Sequence, residues 1–543
     1  MDVVDIARKE KASNLAESSV EIPLRKHSVP SGLLFSSVLL LFGLDHLLLI
    51  RFLGLGTPVF YLGYGAAIAA LTAVMSGAIK GSVPLRRLLI CYGVAGLVLL
   101  LGGEGRLFYS NVDWQVRYTL LSDMIRYPWP YAYLGMDPPK ILRAPLGMYL
   151  LPAVAGKSLG PRGAELALLL QNMIVLGNLM AMGSLLFRTT RTRQIVLTVL
   201  LLFSGMDACA ALIFRPDVLW PFDIHIEGIL GPQYSSILTL AFWVPQHAIS
   251  GWIGALFYML WRRDLVSLGT FLAIIPFCML WSPLGVMGTV PFALLAFVQA
   301  MAARSVRWPD LILPACATVL VIPVLIYLGA DAGKVGMHLA SMSPLIYILL
   351  ELTEVVPILT CVVMLDGRSS FGRAPLWLIA ACLLLFPFVM VGENVDFVMR
   401  ASIPALLILA VIAAERLAES RSQPPRRWLL VVLAIGAITP SRELYRAVIY
   451  KPAPPGNCNL AGYWHESVNT YLARPSALPN PMQPKSLIFV PPRGGGLLFT
   501  IVEVPTLVLC SRADNETWPG PIASLSTRPR GPAIASMAHR TCA

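Results

Sequence analysis

A carboxylate set among arginines and aromatic rings can take a proton while an anion is held beside it, and residues 102–145 supply that mixture. The stretch opens Gly102-Gly103-Glu104-Gly105-Arg106 and continues through Asp113, Trp114, Arg117, Asp123, Arg126, Trp129, Tyr131 and Arg143. Asp113, in Asn111-Val112-Asp113-Trp114-Gln115-Val116-Arg117, falls about ten residues past an apolar segment, so its carboxylate is expected near a membrane surface. There it can accept the proton of a hydroxyl that attacks an activated sugar carbon. Asp123 lies ten residues on, at the far end of a short expected helix. The plainer reading makes both acids solvated loop residues paired with Arg117 and Arg126. Trp114, Tyr118, Tyr127, Trp129, Tyr131 and Tyr133 suit either a sugar-stacking platform or an interfacial belt, and belt is the better reading of any single ring.

A second polar cluster runs Arg215-Pro216-Asp217 through Asp223, His225 and Glu227 to Gln233-Tyr234. On an extended segment, positions 223, 225 and 227 project to one side, where they could hold an acceptor hydroxyl or a divalent cation. Asp-x-His-x-Glu is not an established ligand spacing, so a polar cap is favoured over a metal, and the sequence requires no cofactor. A third cluster, Gly392-Glu393-Asn394-Val395-Asp396-Phe397-Val398-Met399-Arg400, puts Arg400 where it can bind a lipid phosphate bidentately, or simply snorkel. Asp45, His46, Asp207, His247, Glu351 and Glu354 fall inside apolar windows, where ionisable groups face a polar interior.

These residues must be positioned by membrane helices. Of 543 residues, 56% are hydrophobic and 13% charged, too apolar for a soluble globular chain. Apolar windows long enough to span recur at 33–52, 57–79, 86–103, 163–187, 194–214, 235–260, 265–281, 284–303, 309–329, 343–365, 375–391, 401–418 and 428–440. The expectation is an all-α polytopic transmembrane bundle of about thirteen spans. Residues 1–30 form a polar cytoplasmic tail before a retained anchor, 31–440 the membrane unit, and 441–543 an irregular, partly disordered extracytoplasmic tail. Within that tail a strand pair is expected at 486–491 and 497–509, and Cys458 and Cys510 lie on the side where they could pair.

Basic residues fall on alternate connections. Lys80, Arg86, Arg87, Arg188, Arg191, Arg193, Arg262, Arg263, Arg304, Arg307, Arg368, Arg373, Arg416, Arg421, Arg426 and Arg427 make one set. Placing that set inside puts Asp113, Asp223 and Arg400 outside, with residues 104–162 as a long first extracytoplasmic loop. Its apolar part, 146–160, is too short to span securely and is expected to be interfacial or re-entrant. The net charge of +12 follows from the same bias, which leaves no call for nucleic acid as a partner; the expected partners are membrane lipids, and no oligomeric state is implied. None of the nine cysteines has zinc spacing.

Asp113-Trp114, Trp129-Pro130, Leu150-Leu151-Pro152 and Asn394-Val395-Asp396-Phe397-Val398-Met399-Arg400 together resemble the GT-C-type membrane glycosyltransferases. A group of largely uncharacterised bacterial members also shows patterns like Phe203-Ser204-Gly205-Met206-Asp207 and Gln233-Tyr234-Ser235-Ser236. The likeness covers roughly residues 86–440. It implies a sugar donor on polyprenyl phosphate, Asp113 as base, Asp123 as a weaker second acid, and Arg400 as the donor-phosphate ligand. Arg117 or Arg126 would assist it. Two spans precede the usual first helix, and the proline-rich tail departs from the family pattern. Two other classes fit the composition: a transporter or flippase of lipid-linked saccharides, using the intramembrane carboxylates, and a non-catalytic assembly factor.

Overall fold

The computed structural model describes residues 27–135, 137–365, 371–392, 396–419, 424–452, 458–463 and 471–493. Residues 1–26, Arg368, Glu393, Asn394, Arg421, the expected strand at 497–509 and Cys510 lie outside them.

The chain is mostly helical, and helices fall on every apolar window read from the sequence. The first group is α1 (Ser31–Phe52), α2 (Pro58–Gly77), α3 (Leu85–Leu101), α4 (Val112–Arg126), α5 (Gly147–Gly183), α6 (Thr190–Leu202) and α7 (Asp207–Phe214). Then come α8 (Ile237–Trp243), α9 (Pro245–Arg262), α10 (Leu268–Phe277), α11 (Pro283–Ala302) and α12 (Trp308–Gly329). The last group is α13 (Pro344–Glu354), α14 (Val356–Met364), α15 (Ala374–Leu385), α16 (Asp396–Ala401), α17 (Ile403–Glu419), α18 (Pro424–Gly436) and α19 (Ile438–Ile449). Among the described residues seven helices are long and apolar enough to cross a membrane, or eight if the α13–α14 pair, bent by 46°, is one span. Such helices need no alternating pattern, because lipid and core are both apolar. The candidate span Trp308–Gly329 is only 28% buried within the protein, leaving an apolar face uncovered.

The connections separate into two groups, each knitted together by its own contacts. In the basic group the Lys80 amide donates to Leu265 carbonyl at 2.9 Å, and Arg262 donates to the carbonyl of Phe371. There too Arg263 meets Glu415 at 3.1 Å, and Asp310 accepts from the Gly269 amide. In the opposite group Tyr327 donates to Ala144 carbonyl, Arg474 pairs with Asp331 at 2.7 Å, and Arg446 donates to Tyr109. Paired with these connections are two-stranded ribbons: β1 (Ser28–Pro30) with β2 (Ser82–Pro84), and β5 (Met337–Leu339) with β6 (Val389–Val391).

Two features depart from the sequence reading. The last long helical pair continues to Ile449, because α19 is amphipathic and turns Arg442, Glu443 and Arg446 inward, where they find partners; hydropathy alone registers those residues as the end of a span. The described part of the tail packs on the first loop: β7 (Leu472–Ala473) pairs antiparallel with β4 (Ile141–Leu142), and β8 (Ile488–Val490) pairs parallel with β3 (Tyr131–Tyr133). Residues 488–490 thus take the first loop as their strand partner. Cys458 is disulfide-bonded, with its partner outside the described residues.

The 146–160 segment forms the first arm of a helical hairpin, with the reversal at its end. At Gly160 the backbone reaches φ 76° and ψ 178°, a left-handed conformation open to glycine, followed by Pro161. Gln171 then donates to the Met148 carbonyl at 3.1 Å, and a Cβ on Gly156 would come within 2.8 Å of Ala164. A straight helix would hold residues 148 and 171 about 35 Å apart, so the two halves of α5 lie side by side. The first half seats its first turn on Trp281, whose indole donates to Asp45 at 2.9 Å. A Cβ at Gly147 would fall 2.1 Å from that ring. Gly147→Ala is therefore expected to cost about 1–3 kcal/mol by overpacking, read as a lower melting temperature in detergent. Gly93→Ala, with nothing within 4 Å of the added carbon, is expected to leave it unchanged.

Candidate functional site

The site is built on a helix break. Pro245 has no N–H and Val244 sits at φ −137°, ψ 51°, so α8 stops and α9 restarts, leaving the carbonyls of Phe242 and Trp243 outside the helical ladder. Three side chains of the first loop take them. Asn111 Nδ2 and Trp114 Nε1 donate to Phe242 carbonyl at 3.0 and 2.8 Å, and the Arg117 guanidinium donates to Trp243 carbonyl. The 111, 114, 117 spacing puts all three on one face of α4, and Asn111 Oδ1 also caps it by accepting from the Trp114 amide.

Arg117 is held further by Gln246, whose Oε1 accepts from Arg117 Nε at 3.1 Å and from Tyr149 at 2.8 Å. Its remaining nitrogen meets Asp113 Oδ2 at 3.3 Å. Asp113 is 37% exposed at the side chain and Arg117 10%, so the acid faces outward over a buried guanidinium. Arg400, on α16, pairs with Asp396 at 3.0 Å and also contacts the hydroxyl of Tyr471, from the packed tail. Burial would lower the Arg400 pKa, but Asp396, Tyr471 and Asp113 outweigh it and hold it above its ordinary value. Asp113 and Arg400 thus lie within electrostatic reach of each other. Beneath them His247 hydrogen-bonds Ser282 at 2.7 Å and feels both Arg400 and Arg117.

The other expected residues are placed elsewhere. Asp123 is buried at the far end of α4, accepting through Oδ2 from Tyr133 at 2.7 Å and from the Leu460 amide at 2.8 Å. Burial pushes it up to about 7 against those two bonds, and it anchors the tail. Arg126 is exposed beside it and does not join Asp113. Asp217 is exposed and paired with Arg215 at 2.9 Å.

Residues 223, 225 and 227 do not lie on an extended strand, because the segment is wrapped around Arg442; His225 and Glu227 stay within electrostatic reach of each other. That guanidinium collects the carbonyls of Val218, Leu219, Pro221 and Ile224 and lies over the Phe222 ring. Asp223 accepts from Tyr450, His225 meets Glu443 at 2.8 Å, and Glu227 accepts from the Ser236 amide at 3.0 Å. Burial disfavours charge on His225, yet the Glu443 carboxylate overrides it and raises its pKa; burial raises that of Glu227. Among the described residues no group of three or more His, Cys, Asp or Glu side chains is arranged to hold a metal ion. The wrapped segment still reaches the centre, since Glu443 also accepts from the Trp243 indole at 2.8 Å, one atom set away from the carbonyl that holds Arg117.

Comparisons with family models, curated proteins and solved structures find no match.

Several members of the site carry no signal in sequence. Tyr149 and Gln246 lie in apolar stretches, and Tyr471 lies among prolines. Glu443 and Arg446, at i,i+3 on α19, could have been found from the amphipathic period.

Glu104 is a further buried acid of the loop. Asn172 donates to its Oε1 at 2.9 Å, and burial pushes it up to about 8 although Asn172 and Arg117 pull it down. In the unfolded chain it titrates near 4.5, so the folded state binds its proton more tightly and loses stability as pH rises from about 4.5 to about 8. Glu104→Gln keeps an acceptor for Asn172 and removes that loss. The melting-temperature advantage of the variant is expected to be small at pH 5 and to widen toward pH 8.

Proposed function

We propose that this chain is a polytopic membrane glycosyltransferase of the GT-C type, moving a sugar from a polyprenyl-phosphate donor to an acceptor hydroxyl outside the cytoplasm. The observation that carries the reading is Asp113, an outward-facing carboxylate within electrostatic reach of the part-buried Arg400. In the reaction Asp113 takes the proton of the acceptor hydroxyl as its oxygen attacks the anomeric carbon. The bond from that carbon to the phosphate oxygen breaks, and the lipid phosphate leaves as an anion facing Arg400. Direct displacement inverts the sugar carbon.

In this reading all thirteen helical windows cross the bilayer, the basic connections face the cytoplasm, and 31–440 is the catalytic unit. An interfacial level for the basic group draws support from three exposed rings beside its arginines, Trp308, Trp377 and Trp428, at 77%, 69% and 65% exposure, where an aromatic belt would lie. The packed residues 471–493 join the catalytic unit as its roof.

A second reading, transport of a lipid-linked saccharide, has one observation of its own. Three helix breaks meet at buried carboxylates, as discontinuous helices do in transporters. The Met206 amide, between α6 and α7, donates to Thr353 near the α13–α14 bend, and Thr439, just past the α18–α19 break, donates to Asp207 at 2.8 Å. Asp207 also interacts with Glu354.

Asp113→Asn removes the proton acceptor while keeping the shape of the side chain. The expected result is transfer reduced by about 10²-fold or more, with membrane insertion and donor binding retained. Full activity in that variant would rule out Asp113 as the base.

A further inference from the structure

Arg400 is already paired before any ligand arrives. Its terminal nitrogen meets Asp396 Oδ1 at 3.0 Å, one turn back on α16, with side-chain exposures of 15% and 28%. A second face contacts the Tyr471 hydroxyl, and among the described residues Nε has no acceptor. Counting the outer cluster, Asp113 and Asp396 balance Arg117 and Arg400, so an added anion would meet two carboxylates as well as two guanidiniums. For Arg400 to receive a phosphate, one acid has to give way.

The two acids are held differently. Asp113 rests on Arg117, which is fixed by Gln246 and by the Trp243 carbonyl at the helix break. Asp396 opens the six-residue α16, and Arg400 is the one ion partner it has among the described residues. Removing either partner of a part-buried ion pair leaves the other charge poorly compensated, so the exchange is favourable only if the newcomer is itself an anion.

We propose that Asp396 is the resident counterion of Arg400, exchanged for the phosphate of a lipid-borne ligand on binding and returning to displace it on release. The proposal rests on the reading that Arg400 receives the donor's anionic group. It makes Asp396 a competitor built into the site: it keeps Arg400 paired in the empty protein and weakens the hold on the lipid phosphate product. Asp396 is therefore a positioning residue for Arg400, with an effect opposite to that of a ligand-binding residue.

The test is equilibrium binding of farnesyl phosphate and of inorganic phosphate to the full chain in nanodiscs, for wild type, Asp396→Asn, Arg400→Gln and the double variant. Asp396→Ser serves as a second substitution, and melting temperatures verify folding. Freeing one partly exposed ion pair is expected to tighten farnesyl phosphate binding by about fivefold in Asp396→Asn and Asp396→Ser. Arg400→Gln is expected to weaken it by a comparable factor, and the double variant to match Arg400→Gln. Binding no tighter in the Asp396 variants, with Arg400→Gln weakened, overturns the counterion exchange and leaves the Arg400 reading standing. Unchanged binding in Arg400→Gln overturns both. A gain confined to inorganic phosphate overturns the lipid-borne ligand.

Discussion

The carbonyls released at Pro245 are the constraint on which the rest of the site depends. A helix broken inside an apolar bundle leaves acceptors that water does not reach, and each needs a donor from elsewhere in the chain. The donors here are Asn111, Trp114 and Arg117, all from one face of α4. Each such bond contributes about 1 kcal/mol net, but leaving its acceptor bare would cost about 1–3 kcal/mol. The first loop is thereby fixed against the bundle at one depth and one rotation. Asp113, one position before Trp114, has its outward direction set by the same three contacts.

From that break the order spreads in two directions. Through Gln246 and Tyr149 it reaches the first half of α5, which packs on Trp281. Through the Trp243 indole it reaches Glu443, then His225 and Arg446, so the wrapped segment at 215–227 is tied to Trp243, one of the residues that hold Arg117. The packed tail closes the third side, with Tyr471 on Arg400 and the Leu460 amide on Asp123. Buried charges here are compensated by neighbours from distant parts of the chain, the form in which ionisable groups are tolerated in apolar surroundings.

Hydrophobicity made the helical windows legible, because a segment of about 20 apolar residues has few alternatives to a helix in such a chain. The Leu146 to Gly160 stretch was readable from its length as too short to span securely, and Gly160-Pro161 ends it in a turn. Asp113 and Arg400 were legible as a charged residue beside aromatics and a lone arginine on a short connection, though nothing in their spacing said they would approach each other across 287 positions. Alternation misled at 223, 225 and 227, since it assumes an extended backbone, whereas Arg442 gathers four carbonyls and curls the segment. In the tail the strand expected at 486–491 is present as β8, but its partner was not legible, because a proline-rich chain gives no sign that strands of the first loop offer it an edge.

A transfer reaction at Asp113 and Arg400 is tested most directly by donor consumption by the purified full chain in nanodiscs across a panel of polyprenyl-phosphate sugars. The expected result is that at least one donor is consumed, with polyprenyl phosphate released in equal amount to the sugar transferred or hydrolysed. Transfer is contradicted if every donor remains intact while the same protein, in sealed liposomes, carries an intact lipid-linked saccharide from one leaflet to the other.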